Sequence, residues 1–303
     1  MNKNSGYVAL IFTVLVWGST FVVTKMVLAD IGPFTLIFLR FLIAFAVLSP
    51  VAARQGYRLR YSVRPRYLGL GFTGVALYFS LESWGLVFSS AVAAVLVIAA
   101  APAVTAAIAA AFLRERLRPV QWVGIALALL GAAVVSIAGT SNTVGSRPLL
   151  GSVLIFAAVL SWGAYTVQGK RLVSSEPAVV VTTAGIGAGL CMLLPLAVVE
   201  TLTTSLPTLA ATSALSLVYL GVVSSGLTMV LWNYALTKVA VGVAGTFINL
   251  VPIVGVLIAV VAGESISAWQ LLGGVVTLAG VWLTARQRAA SPRVAAQPSP
   301  GKA

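Results

Sequence analysis

The chain has 303 residues, of which 60% are hydrophobic and only 8% charged. A water-facing surface takes roughly 25% charged residues over the whole chain, so a soluble globular protein is excluded and the outer surface must face lipid. The net charge of +13 would suit a nucleic-acid binder, but the basic residues sit in short gaps between apolar runs, where they report membrane topology instead.

A bilayer core takes about 20 mostly apolar residues per helix. Cutting at charges, prolines and polar clusters predicts ten spans: 7–28, 33–53, 67–87, 91–113, 120–138, 150–170, 178–199, 212–235, 241–262 and 268–285. The runs are too long for barrel strands and do not alternate apolar with polar, so the fold class is an all-α integral membrane protein. The first run is long for a signal-peptide core and no small-x-small cleavage site follows it, so a retained span is expected.

With the N-terminus inside, 16 of the 19 basic residues fall on the inner side. They are Lys3, Arg54, Arg58, Arg60, Arg64, Arg66, Arg114, Arg116, Arg118, Lys170, Arg171, Lys238, Arg286, Arg288, Arg293 and Lys302. Arg147 is the basic residue of the outer loops, and Lys25 and Arg40 lie within helices. This skew predicts a plasma (inner) membrane protein with both termini cytoplasmic. Residues 287–303, rich in Pro, Ala and Ser, are expected to be a disordered tail. There is no His and a single cysteine, Cys191, in an apolar run. An intramolecular disulfide is excluded, and the usual metal ligand and general base are missing.

The stretch "WGSTFVVTK" at 17–25 returns as "WGAYTVQGK" at 162–170. Residues 84–96 lie over 234–246, and Pro102 over Pro252, at an offset of 150. Glu115, Gln121, Gly124 and Gly131 fall on Glu264, Gln270, Gly273 and Gly280 at an offset of 149. Two repeats follow, 1–145 and 146–286, each of five helices. Five is odd, so the second repeat lies upside down in the membrane. Inverted repeats around a midplane site are the build of secondary transporters, although a duplicated channel or intramembrane enzyme has the same pattern. Lys25 and Lys170 end their helices and are expected to snorkel to opposite interfaces.

Trp17, Tyr78 and Trp162 fall near mid-span, away from the interfaces that large aromatics favour. Each indole N–H needs a partner, and we expect these rings to wall a central cavity. Pro102 and Pro252 each remove a mid-helix hydrogen bond and are candidates for a gating bend. Ser19, Thr20, Ser80, Ser161, Thr166, Gln168, Asn233, Thr246 and Asn249 lie nearby, most of them able to bond their own helices. Thr166 and Asn249 are the favoured substrate contacts, and Asn233 lies near the inner end. Charges inside spans cost about 2.5–3.5 kcal/mol on insertion scales. Arg40 and Glu82, one to two turns deep, are expected to form an intramembrane ion pair. Glu200 and Glu264, at the outer face, are expected to meet water.

"WGSTF", "FLRF" and the matched pair "ERLRPVQWVGIALALLG" and "GESISAWQLLGGVVTLAG" resemble the drug/metabolite transporter superfamily in its ten-helix EamA-type branch, most of all the YddG-type amino-acid exporters. The resemblance covers about residues 7–286. It implies export of small metabolites without ATP through a cavity between the halves. No GxxxxGK[ST] motif is present; "GAYTVQGKR" at 163–171 has the wrong spacing. Spans 7, 9 and 10 hold no internal Lys or Arg, against phosphate-bearing substrates, and span 1 holds no acid, against proton-coupled cationic drugs. An exporter of amino acids with hydrophobic or aromatic side chains is expected, with other neutral metabolites or drugs as the alternative. The expected partners are that substrate and the bilayer, with no nucleic acid, no cofactor and no metal. Oligomeric state is open, with a monomer favoured.

Overall fold

The computed structural model describes residues 4–113, 117–138, 147–204 and 209–286. These form ten helices and, among the described residues, no strand. They are α1 (Asn4–Val27), α2 (Pro33–Ala53), α3 (Pro65–Phe88), α4 (Ala91–Ile98 and Ala101–Leu113), α5 (Pro119–Ala138), α6 (Pro148–Leu172), α7 (Ala178–Thr203), α8 (Ala211–Lys238), α9 (Val241–Phe247 and Leu250–Val261) and α10 (Ala268–Arg286). Among the described residues, nine stretches are long and apolar enough to span a membrane, and α10 adds the apolar segment Ala268–Thr284. The bounds lie within four residues of those expected from the sequence. Four helices begin with Pro at the first position, where the missing N–H has no partner to lose: Pro33, Pro65, Pro119 and Pro148. After α2 and α9 the chain turns through Gly56 and Gly263 at φ 91° and 93°, a conformation that suits glycine. Lys3, Arg114, Glu115, Arg116, Arg288, Arg293, Lys302 and the 287–303 tail lie outside the described residues.

The repeat is visible in the irregularities. A π-helical stretch interrupts α3 at Phe72–Leu77 and α8 at Leu220–Leu227. The helices α4 and α9 each break in mid-span, at residues 99–100 and 248–249. Pro102 and Pro252 therefore do not bend continuous helices. They stand in the first turn of the second segment, because a proline N cannot take the preceding carbonyl and its ring pushes that carbonyl away. The two lysines repeat as well. Lys25 Nζ donates to the Ser89 carbonyl (3.0 Å), at the end of α3. Lys170 Nζ donates to the carbonyls of Leu236 and Val239, the latter at 3.2 Å, at the end of α8. Ser89 and Val239 are themselves repeat equivalents, so one contact is built twice.

The equivalent helices α5 and α10 make the most extensive helix–helix contact among the described residues. They run antiparallel, with Gly124 against Gly280 and Thr284, and Gly131 against Gly273 and Thr277. Small residues let two backbones approach closely where lipid gives no hydrophobic drive for association. Both helices also start alike: Gln121 Oε1 accepts from the Arg118 N–H (3.0 Å) and Gln270 Oε1 from the Ser267 N–H (2.9 Å), each a side chain reaching back to its own helix cap. A Cβ on Gly280 would lie 2.6 Å from the Gly124 carbonyl oxygen. Gly280→Val is therefore expected to force the seam apart, at a cost of about 1–3 kcal/mol. A lowered thermal unfolding midpoint in detergent checks it; an unchanged midpoint rejects the seam.

Carboxylates tie helix starts to distant chain segments. Glu200 was expected to meet water, but its oxygens accept from the N–H groups of Phe34 (3.2 Å) and Thr35 (2.7 Å) in the first turn of α2. Glu264 likewise accepts from the N–H groups of Ala91 (3.1 Å) and Val92 (3.0 Å) and pairs with Lys25 at 3.3 Å. Free N–H groups and the positive end of the helix dipole favour a carboxylate there, and the low-dielectric surroundings make leaving those groups bare expensive. Between α1 and α2, hydrogen bonds from Ser213 and the Ala210 N–H hold the Asp30 carboxyl below the usual carboxylate range. Glu176 pairs with Arg66 at 2.5 Å and accepts from the Tyr67 hydroxyl.

Candidate functional site

Where the two repeats face each other lies a cavity of about 40 Å³, room for a few water molecules. Seven helices line it, drawn from both repeats: α1, α2, α3, α4, α6, α8 and α9. The breaks of α4 and α9 bring Ile98, Ala101, Ile248 and Val251 to its wall. The π-stretch of α8 supplies Ser224, and that of α3 ends one residue before Tyr78. A π-turn displaces the helix register by a fraction of a turn, and such turns occur often at functional sites.

Trp17, Tyr78 and Trp162 meet at this cavity. Trp162 is the hub. Its ring centroid is 5.1 Å from that of Trp17 in an edge-on arrangement, 5.2 Å from Tyr78, 4.8 Å from Tyr165 and 5.7 Å from Trp232. The Trp17 indole N–H donates to Thr228 Oγ1 at 2.8 Å. That bond satisfies the polar edge of a cavity-lining ring from α8.

Arg40 and Glu82 line the same cavity, but they do not form the expected contact ion pair. Arg40, only 1% exposed, donates instead from Nε to Ser225 Oγ (2.8 Å) and from Nη2 to Ser224 Oγ (3.0 Å). Its guanidinium stacks 4.6 Å from the Phe79 ring centroid. Glu82 Oε1 accepts from the Tyr78 hydroxyl at 3.2 Å. Ion pairs within 4.0 Å among the described residues are Lys25–Glu264 and Arg66–Glu176. Two serines on α8 therefore take the guanidinium that the sequence assigned to a carboxylate.

Thr166 and Asn249 do not reach the cavity wall. Thr166 is buried and donates to its own helix at the Trp162 carbonyl, 2.9 Å. Asn249 sits in the break of α9, half-buried, with Oδ1 unpartnered. Pro102 and Pro252 flank the cavity through their neighbours Ala101 and Val251. Asn233, expected near an interface, is fully buried and joins three helices by donating to Tyr165 Oη (2.8 Å) and Thr182 Oγ1 (2.9 Å). Thr20 lines the cavity while its hydroxyl donates to the Trp17 carbonyl (2.8 Å), and Ser161 donates to the carbonyl of Thr73 (2.7 Å).

Sequence reading missed Ser224, Ser225, Thr228 and Trp232. Adjacent serines within an apolar run were the available signal for the first two. For Trp232, which lies 5.3 Å from Trp17, position along the helix did not distinguish it from an interfacial aromatic.

The chain is similar to the "Probable terminal-alkyne amino-acid exporter" of Streptantibioticus cattleyicolor, with 32% identity over 96% of both chains. It is similar also to the "Probable amino-acid metabolite efflux pump" of Salmonella typhimurium, with 30% identity over 93% of this chain and 95% of that protein. A protein of known crystal structure superposes with a TM-score of 0.68 over 96% of this chain and all of its own, at 21% identity, a likeness of fold. The EamA-like transporter family model matches the chain twice, over residues 4–137 and 149–286, once for each set of five helices. The chain belongs to the EamA-like transporter family.

Proposed function

We propose that this protein is a secondary transporter that exports amino acids, favouring hydrophobic or aromatic side chains, by alternating access at the cavity between its repeats. The observation that carries the reading is the aromatic wall formed by Trp17, Tyr78 and Trp162 at the meeting point of both repeats. Flat apolar rings suit an apolar side chain, and the twofold build suits a site that opens to either face in turn. The exporter and efflux-pump names of the two relatives support the substrate class. In the present conformation the cavity is too small for such a side chain, so binding requires the two sets of helices to part. The basic residues that crowd the ends of α2, α6 and α8 support cytoplasmic termini in the plasma membrane.

The test is counterflow. Liposomes containing the purified protein and loaded with unlabelled phenylalanine should accumulate labelled phenylalanine, and tryptophan and leucine should compete. Accumulation no greater than in protein-free liposomes, for every amino acid tried, rejects the proposal. Trp17→Ala opens the wall and frees Thr228, and it should lower the counterflow rate at least tenfold. A rate near that of the unaltered protein would remove Trp17 from the binding site.

A further inference from the structure

We propose that Arg40 and Glu82 form a zwitterion clamp, in which the guanidinium takes the α-carboxylate of the transported amino acid and Glu82 takes its α-ammonium group. The inference rests on the amino-acid reading above. It differs from the ion pair that the sequence suggested, because each charge is offered to the substrate rather than to the other.

A guanidinium carries five N–H donors in a planar fork. Ser225 and Ser224 engage Nε and Nη2 of Arg40, and Phe79 covers one face. Nη1 is buried, lies at the cavity-lining residue and has no hydrogen-bond partner among the described residues. An unmet charged donor in the interior is costly, and a carboxylate is the group whose two oxygens match a guanidinium fork. Phosphate shares that match. The neighbouring carboxylate decides between them, because it would repel a dianion and attract a cation.

Glu82 is 4% exposed. The other acidic residues among those described are already engaged: Asp30, Glu200 and Glu264 with N–H groups at helix starts, and Glu176 with Arg66. Glu82 has only the hydroxyl of Tyr78 on its own helix among the described residues, and a carboxylate can accept several bonds. The two charges are held apart by anchors on different helices, Arg40 by α8 and Glu82 by α3. A ligand with an anion and a cation on neighbouring atoms answers both at once. Its side chain then lies toward Trp17, Trp162 and Phe21, which line the same space. A ligand with one charge alone leaves its opposite buried and unpaired, which such sites reject strongly.

The experiment titrates the full-length protein in detergent with L-phenylalanine, with its methyl ester, which lacks the carboxylate charge, and with 3-phenylpropionate, which lacks the amine. Wild-type protein should bind each analogue at least tenfold more weakly than phenylalanine. Arg40→Gln should weaken phenylalanine at least tenfold without weakening the ester, and Glu82→Gln should weaken phenylalanine at least tenfold without weakening 3-phenylpropionate. The wild-type comparison needs no substitution, so a variant that fails to fold does not remove the test. If wild-type protein binds the ester as tightly as phenylalanine, or if Arg40→Gln weakens both equally, the clamp is wrong. Counterflow separates the two readings. Carriage of amino acids with no preference over their esters overturns the clamp alone, whereas carriage of no amino acid overturns the exporter reading and the clamp with it.

Discussion

Trp162→Ala is expected to reduce amino-acid counterflow at least a hundredfold and to destabilise the protein by about 3–5 kcal/mol, the usual cost of truncating a buried Trp. The hydrophobic effect contributes little to helix association within lipid, so the loss comes from packing. Trp162 is 6% exposed and its ring meets those of Trp17, Tyr78, Tyr165 and Trp232. Tyr165 cannot swing in to fill the void, since its hydroxyl is held by Asn233. Trp232→Ala separates the two effects: Trp232 is fully buried in the cluster but does not line the cavity. It should lower the unfolding midpoint by a similar amount while leaving phenylalanine affinity within about threefold of wild type. Equal losses of affinity in both variants would mean that the cluster acts as scaffold and that Trp162 does not touch the substrate.

Arg40→Met should be the most damaging single change outside the aromatic cluster, at about 3–5 kcal/mol, because removing one of two buried opposite charges strands the other. The serines that hold Arg40 can fall back on their own helix carbonyls; the Glu82 charge keeps only the Tyr78 hydroxyl. Glu82→Gln alone should cost less, since Arg40 keeps Ser224, Ser225 and the Phe79 ring. Adding Glu82→Gln to Arg40→Met should then recover part of the loss rather than add to it. Unfolding midpoints of the two single variants and the double variant in detergent close the cycle. Strictly additive losses would show that the two charges do not sense each other across the cavity.

The ten helices are legible because a bilayer imposes one length and one polarity on every span, so charges and prolines mark the ends directly. Repeat offsets of 149 and 150 carried the twofold build for the same reason: equivalent positions face equivalent surroundings. The three aromatic wall residues could be proposed from depth alone, since an aromatic far from the interface needs a special environment. Depth is one coordinate only. Thr166 and Asn249 lie at suitable heights but do not line the cavity, because successive residues on a helix turn by about 100° and a single chain does not say which azimuth meets the partner. The π-turns in α3 and α8 shift that azimuth further, with no residue pattern that announces them.

Composition and periodicity by themselves determined that this protein lies in a membrane as two related sets of helices, and which rare residues stand deep within it. Those properties follow from local physics: the solvent around each segment and the length needed to cross it. Tertiary structure alone decided partners. Glu200 reaches the start of α2, 165 residues away from Thr35, Glu264 reaches the start of α4, and Arg40 is held by two serines on α8 rather than by Glu82. In a low-dielectric interior every polar group must be met by whatever the fold brings within about 3 Å, and that neighbour is set by how the helices pack, not by position along the chain.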